Sequence, residues 1–295
     1  VSPLDWVNDR RTFDGVKAIH KGHRWKADAF FLHPVGDLYA EQNNNEADQA
    51  IDFYGLYATR RPTNSLNIDA YYLGLNNRRE QYEYQTIGTR LRGQTDAGQL
   101  FAFEGAYQFG NNTPGYGTHN AGFITAGTGH RLRHLHPHKN GKSRVWLWYD
   151  WASGDNEIPA ARGDNGFDAL FPQSHWYLGF MDLFGRRNIN DVSLQFTTPV
   201  LSPKVELILW YHYFFLDQKT TPYSADMTAF NPNNAAADRE LGQELDILLN
   251  FSLNPRNDFL LGYSFFQAGK YYQLTPGAPT DADGQFLYLQ YQTRF

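Results

Sequence analysis

The stretch DGQFLYLQYQTRF, from Asp283 to Phe295, alternates apolar and polar side chains and stops on an aromatic residue. In a β-strand, successive side chains point to opposite faces. One face of this strand would carry Leu287, Leu289, Tyr291, Thr293 and Phe295, and the other Tyr288, Gln290, Gln292 and Arg294. A last strand with one lipid-compatible face and one wet face is typical of a bacterial outer-membrane β-barrel, although a soluble β-sandwich can also end on a strand.

The composition favours the membrane barrel. Aromatic residues make up 16% of the chain, yet its mean hydropathy is −0.58. This combination fits alternating strands with aromatic girdles at the membrane interfaces. The sequence has no continuous apolar run of the roughly 18–20 residues that a spanning helix needs. It also has no cysteine, which excludes disulfides and thiol catalysis, and its net charge of −5 gives no reason to expect nucleic acid.

Segments with a two-residue period, bounded by turn residues, recur along the whole length and predict about thirteen strands. We place these strands at 12–20, 24–35, 51–60, 66–76, 80–93, 99–110, 119–133, 143–152, 190–201, 204–216, 240–253, 258–272 and 285–295. The clearest patterns are in the tenth and eleventh segments, where Leu207, Tyr211 and Leu241 fall on the predicted apolar face. The fold class predicted is therefore all-β, an antiparallel transmembrane barrel.

The lengths of the connections agree with this prediction, because such barrels alternate short periplasmic turns with longer extracellular loops. Counting back from a periplasmic C-terminus, the predicted outer loops are 36–50, 77–79, 111–118, 153–189, 217–239 and 273–284. The predicted inner turns are 21–23, 61–65, 94–98, 134–142, 202–203 and 254–257. The same counting makes the first strand descend, so a closed barrel would need an odd number of further strands upstream. We expect residues 1–295 to be a single barrel domain, the C-terminal part of a larger barrel.

Four segments resemble the alginate export family of outer-membrane proteins, and they occur in the family's order. They are RTFDGVK (11–17), FEGAYQFG (103–110), YDWASGD (149–155) and HWYLGFMDLFGRRNI (175–189). The resemblance implies a monomeric barrel of 18 strands, of which 13 lie here, and the outward passage of an anionic uronic-acid polysaccharide. Outer-membrane lipid and periplasmic secretion proteins are then the implied partners, and no cofactor is expected.

Basic residues of the predicted strands collect at the periplasmic ends, where they could line the inner mouth of a channel. They are Arg24, Lys26, Arg60, Arg90, Arg92, Arg131, Arg133 and Arg144, whereas the outer loops are rich in acids such as Glu41, Asp155, Glu157, Asp164 and Asp168. A cation-lined cleft raises the local concentration of an anion, and arginine binds carboxylate bidentately. The alternative is that charged strand ends simply mark where the apolar belt stops, and that the acids are ordinary turn residues.

Two acids, Glu104 and Asp150, are predicted in mid-strand with their side chains directed inward. They could pair with arginines across the lumen and shape a constriction, or they could be solvated wall residues. No nucleophile signature surrounds Ser193 or His212, and Glu104 with Asp150 only superficially resembles a glycosidase pair, so an enzyme is not favoured.

The longest predicted loop, 153–189, combines an oxygen-rich segment with the aromatic stretch HWYLGFMD. Its acids lack the spacing of an EF-hand, so a polar surface loop is favoured over a calcium site. The aromatic stretch is expected to fold inward or pack on the rim, which makes it a candidate gate. Histidines near 130–138 could hold a metal ion, but a solvated turn is favoured. The functional alternatives to polysaccharide export are a general porin and a soluble carbohydrate-binding β protein.

Overall fold

The computed structural model describes residues 11–35, 46–111, 118–132, 143–156, 164–173, 175 and 177–294. These residues form one antiparallel sheet of 13 strands in which each strand pairs with the next along the chain. The strands are β1 (Thr12–Lys21), β2 (Trp25–Val35), β3 (Ile51–Thr63), β4 (Leu66–Asn77), β5 (Tyr82–Gln94), β6 (Gln99–Asn111), β7 (His119–Arg131), β8 (Arg144–Ala152), β9 (Ile189–Val200), β10 (Ser202–Phe215), β11 (Glu240–Asn254), β12 (Asn257–Ala268) and β13 (Gly284–Thr293). The all-β prediction is confirmed, and all the predicted strands are present.

The sheet has two chemically different faces, as the alternation predicts. Leu56, Ile87, Leu147, Leu194 and Ile247 point to one face, and all of them are exposed although they are large and apolar. Their neighbours in each strand point to the other face, which is rich in polar and charged side chains. An exposed apolar face of this size is stable in contact with the hydrocarbon of a membrane. We therefore call the apolar face the outer face and the polar face the inner face.

Leu241 departs from its predicted face. The pairing of β10 with β11 shifts register between Phe214 and Phe215, so that Phe214 lies opposite Gly242 and Phe215 opposite Glu240. This β-bulge leaves Leu241 fully buried on the inner side, in a cluster with Phe214. A bulge adds one residue to the strand and therefore reverses the facing beyond it.

The segment predicted as a strand over 258–272 also ends early. β12 ends at Ala268, and a single helical turn, α1 (Lys270–Leu274), follows. Tyr271 in this turn is fully buried beside Leu241, and the backbone N–H of Gly269 donates to the carbonyl of Leu241. Packing of this tyrosine over the end of β11 therefore takes the place of further strand pairing between β11 and β12. Within the described ranges, no helix is long and apolar enough to cross a membrane.

The connections sort by length between the two ends of the sheet. Short turns, such as 22–24, 64–65 and 255–256, lie at the end where β13 finishes, and longer connections, such as 216–239, lie at the opposite end. Short turns are the periplasmic ones in barrels of this kind. In the part of the chain that the structure describes, β1 and β13 each pair with one strand only, so the sheet has two free edges.

Candidate functional site

The register places a group of arginines on the inner face, close to the periplasmic end. Arg90 lies opposite Glu104 of β6, Arg92 lies opposite Ala102, and Arg131 lies opposite Arg144 of β8. All of these residues share the inner face with Glu104, because residues paired across strands point to the same side. We call Arg90, Arg92, Arg131 and Arg144 the basic band.

Arg90 is held beside an acid and two tyrosines. Its Nε lies 3.7 Å from Oε2 of Glu104, whose other oxygen accepts a hydrogen bond of 3.2 Å from the hydroxyl of Tyr71. The ring of Tyr57 stacks parallel to that of Tyr71 at 5.7 Å between centroids. Glu104 therefore orients Arg90 without burying it, since both side chains remain about one-third exposed. Arg92, one step nearer the periplasm, is exposed and forms no ion pair with any described residue.

Arg131 and Arg144 face each other directly across two strands, an arrangement of like charges that is unfavourable by itself. Each side chain has another polar partner. Nε of Arg131 donates to Oε1 of Gln94 at 3.1 Å, and Nη2 of Arg144 lies 3.6 Å from Oε1 of Glu206. The two arginines therefore lie side by side on the inner face, and each guanidinium group contacts a different polar neighbour.

Lys26 also lies on the inner face, with a partner that the sequence analysis did not identify. Its Nζ donates to Oδ2 of Asp28 at 2.7 Å, and Nζ of Lys17 approaches the same oxygen at 3.5 Å. Asp28 is buried between them. The alternation of RTFDGVK could have assigned Lys17 to this face, but only the strand pairing shows that both lysines meet one carboxylate.

Three of the predicted basic residues do not line the inner wall of the described structure. Arg60 pairs with Trp25 and Ile68 and therefore lies on the outer face, so its predicted lumen position is wrong. One residue of register decides this, because the faces alternate at every position. Arg24 belongs to the turn between β1 and β2, where its guanidinium donates to the carbonyl of Pro62. Arg133 lies outside the described residues.

The connection between β8 and β9 folds across the inner face instead of projecting from the rim. We call its described part within 164–188 the inward loop. Apolar side chains along it enter three clusters on the wall: Phe171 packs with Phe53, Phe167 with Phe123, and Phe180 with Trp210. Aromatic residues bury enough area to hold a long loop in place. The sequence left two alternatives for this aromatic stretch, folding inward or packing on the rim, and the structure has it folded inward.

An ion pair fixes the C-terminal end of the inward loop to the wall. Nη2 of Arg186 donates to Oδ1 of Asp150 at 2.7 Å, and the hydroxyl of Thr125 donates to the same oxygen. The guanidinium of Arg186 also lies 5.0 Å from the centroid of the Phe123 ring, within cation–π range. Asp150 therefore pairs with an arginine of the loop, whereas Glu104 pairs with Arg90 of the wall.

Arg187 closes the loop on itself. Its Nη2 contacts both carboxylate oxygens of Asp164, at 2.5 and 2.6 Å, and its Nη1 donates to the carbonyl of Gly166. Burial alone would lower the pKa of Arg187, but the adjacent Asp164 carboxylate outweighs burial and raises it. The guanidinium therefore stays charged at any ordinary pH.

Glu244 of β11 holds the middle of the loop. Its Oε1 accepts a hydrogen bond of 3.0 Å from the backbone N–H of Met181. Gly179 has a φ of +87°, and a Cβ at this position would lie 2.5 Å from the same carboxylate oxygen. A glycine is therefore required at this position of HWYLGFMD for two reasons: the backbone is left-handed there, and the Glu244 carboxylate leaves no room for a Cβ.

A buried polar cluster underlies this part of the loop. Nδ1 of His212 lies 2.7 Å from Oδ2 of Asp191, and Ser264 donates to Asp246, which lies 3.9 Å from Nε2 of His212. Ser193 lies opposite His212 in the register, but neither its Oγ nor Nε2 of His212 has a hydrogen-bond partner among the described atoms. The nucleophile–base hydrogen bond of a hydrolase is therefore not formed.

The acids predicted for the outer rim divide into two groups. Asp164 pairs with Arg187, and Asp168 accepts a 2.6 Å hydrogen bond from the hydroxyl of Tyr84, so both are tied to the inner side. Glu41, Glu157 and the histidines at 134, 136 and 138 lie outside the described residues. Among the residues that are described, no group of three or more His, Cys, Asp or Glu could hold a metal ion.

An apolar outer face, a polar inner face and a loop folded across the lumen together define a bacterial outer-membrane channel. The model of the alginate export family matches residues 1–284. The chain belongs to this family, and it is a channel and not an enzyme. The alternative of a soluble carbohydrate-binding protein is therefore wrong.

Solved structures with a similar fold include proteins of two bacteria. OprD of Pseudomonas aeruginosa, an outer membrane protein, is 12% identical, with a TM-score of 0.59 over 99% of this chain and 72% of that one. OccD3 of the same organism is 14% identical, with a TM-score of 0.62 over 98% and 70%. OccAB4 of Acinetobacter baumannii is 11% identical, with a TM-score of 0.56 over 97% and 67%. No curated protein matches the chain.

Proposed function

We propose that the channel passes an anionic polysaccharide of the alginate type, a polyuronate, along the basic band. The observation that supports this most directly is the position of Arg92, an exposed inner-face arginine two residues from Arg90. Two arginines on one strand face present planar donors at the spacing of alternate residues, and each can bind a carboxylate bidentately. A chain of uronates offers one carboxylate on every sugar.

The arrangement of charge supports outward movement. The basic band lies towards the periplasmic end, so it would concentrate a polyanion where it enters. Nearer the outer end, the charges of Asp150 and Asp164 are compensated by Arg186 and Arg187, and Asp168 accepts a hydrogen bond from the neutral hydroxyl of Tyr84, so no free basic group is added there by these contacts. A polyanion would therefore meet its strongest attraction at the inner mouth and weaker attraction beyond it, which favours release.

We propose that further strands or a partner chain close the barrel between β1 and β13. Both edges present unpaired backbone groups in the described part of the sheet, and hydrocarbon cannot satisfy them. An 18-stranded, monomeric barrel with residues 1–295 as one domain would remove both edges, as the family resemblance implies. Periplasmic secretion proteins would then deliver the polysaccharide to the inner mouth.

The test is single-channel current in a planar bilayer under a salt gradient. We expect anion selectivity and block by oligouronates but not by neutral oligosaccharides of the same length. Replacing both arginines, Arg90→Glu and Arg92→Glu, should shift the reversal potential towards cations and weaken the block. Arg256→Glu, in an exposed turn at the same end, is the matched control. An unchanged reversal potential in the double variant would contradict the proposed pathway.

A second candidate is a general porin for small anionic solutes. The inward loop favours it, because Phe167 and Phe180 are buried against the wall and hold the loop across the inner face, where it narrows the path. Oligouronates of increasing length separate the two functions. Polysaccharide export predicts block that strengthens with length, whereas a small-solute channel predicts permeation of monomers and no gain from longer chains.

A further inference from the structure

The lipid-facing surface carries a basic patch near its periplasmic end that plays no part in the lumen. Arg60 lies on the outer face between Trp25 of β2 and Ile68 of β4, directly opposite both in the register. Arg24 is adjacent in the turn, where its guanidinium reaches the carbonyl of Pro62. Neither arginine forms an ion pair with a described acid.

These residues form the rim of a groove. A cavity of about 580 Å³ is lined by His23, Arg24, Trp25, Ala58, Thr59, Arg60, Ile68 and Ala70. Its floor consists of Ala58 and Ala70, which are paired with each other and with Ala27 in one row across three strands. The same alanines line a second groove of about 1370 Å³ that continues along the outer face towards Trp151.

The sides of the groove consist of bulky side chains, whereas its floor consists of small ones. Leu56 and Tyr72 form one side of the alanine row, and Trp25, Arg60 and Ile68 form the other. The indole of Trp25 is half exposed and packs against the ring of His20, with 4.6 Å between the ring centroids and the planes tilted by 32°. An aromatic ring at the height of an interfacial cation is the usual mark of the headgroup region.

We propose that this groove binds an anionic phospholipid of the periplasmic leaflet, with its phosphate at Arg24 and Arg60 and one acyl chain along the alanine floor. Charge complementarity favours this occupant, because two guanidinium groups that have no acidic partner among the described residues border an apolar groove where the headgroups lie. Arginine binds phosphate oxygens through paired donors, so a phosphate satisfies groups that hydrocarbon cannot. Alanine leaves the backbone accessible, which gives an acyl chain room to lie flat.

The test is native mass spectrometry of the full chain, released from nanodiscs containing phosphatidylglycerol and phosphatidylcholine. We expect one phosphatidylglycerol to survive detergent exchange with the unaltered protein. The variants Arg60→Gln and Arg24→Gln should each weaken its retention by roughly tenfold or more, the effect of losing a charge-assisted hydrogen bond. Arg256→Gln, at the same membrane end but remote from the groove, should retain the lipid fully.

Two outcomes would overturn the proposal. One is equal retention of phosphatidylglycerol by Arg60→Gln and the unaltered protein, and the other is equal retention of phosphatidylcholine. Heat-modifiable gel mobility shows whether each variant is folded. If Arg24→Gln fails to fold because it loses the contact with Pro62, Arg60→Gln alone decides the result. Ala58→Leu, which fills the floor and leaves both cations, should displace the lipid by steric hindrance.

Discussion

Arg186 of the inward loop and Asp150 of β8 are joined by a 2.7 Å hydrogen bond between Nη2 and Oδ1, and both side chains are largely buried. The pair connects the segment that crosses the lumen to the wall that surrounds it. Because Glu244 of β11 also binds the backbone of Met181 and Phe180 of the loop packs into a cluster on the wall, the loop is tied down at several separate points. Such a loop is a fixed constriction whose position can be altered by single substitutions.

Removing the charge of Arg186 should loosen the constriction. In Arg186→Gln the Asp150 carboxylate keeps its buried position but loses its cation, and breaking a buried pair in this way costs about 3–5 kcal/mol. We expect larger and noisier single-channel currents than in the unaltered protein. Arg186→Lys, which retains the charge, is the control. Identical current traces for the Gln variant and the unaltered channel would show that the pair does not hold the loop.

Truncating Phe180 should release the middle of the loop. Its side chain is 1% exposed and packs among Trp210, Leu248 and Tyr288. Phe→Ala in a packed core costs about 3–5 kcal/mol. We expect faster proteolytic cleavage in the loop of Phe180→Ala, measured on protein in nanodiscs. Leu274→Ala, at a side chain that is already exposed, should leave the cleavage rate unchanged; if both variants are cut equally fast, the cluster is not what anchors the loop.

We expect Glu104 to limit the anion affinity proposed for the basic band. Glu104→Gln retains an acceptor for the hydroxyl of Tyr71 but removes the charge beside Arg90. An exposed pair of this kind is worth about 0.2–1 kcal/mol, so oligouronate block should strengthen by a factor of roughly 1.4–5. Titrating the block in planar bilayers measures this directly. Weaker block in Glu104→Gln would refute the role given to the acid.

The assignment of faces makes a prediction about stability. Leu194 points to lipid and is half exposed, whereas Gln195, its neighbour in β9, points inward. Arginine on the lipid face near the midplane costs about 2–4 kcal/mol in a membrane barrel. We expect Leu194→Arg to lower the free energy of unfolding in lipid vesicles by this amount and Gln195→Arg to lower it far less. Equal losses would mean that the two faces are reversed.

The strand pattern could be predicted because a two-residue period is local. Leu207 and Tyr211 alternate with inward residues such as His212, and lipid on one side with water on the other enforces that alternation. Arg90, Arg92, Arg131 and Arg144 fall on the inner face for the same reason. Irregularities could not be predicted. The bulge that buries Leu241 and the outward position of Arg60 each depend on one residue of register, which the partner strand sets.

The sequence by itself determined the class of fold, the thirteen strands and the sorting of long and short connections. Each of these is encoded by neighbours in the chain, through alternation, turn residues and hydrophobicity. Only the tertiary structure decided the partners that are distant in the chain: Arg186 with Asp150, Met181 with Glu244, and Lys17 with Asp28. The first two contacts join the loop to the wall and the third joins neighbouring strands, so which groups meet depends on strand pairing and on the path of the loop, and not on any local pattern.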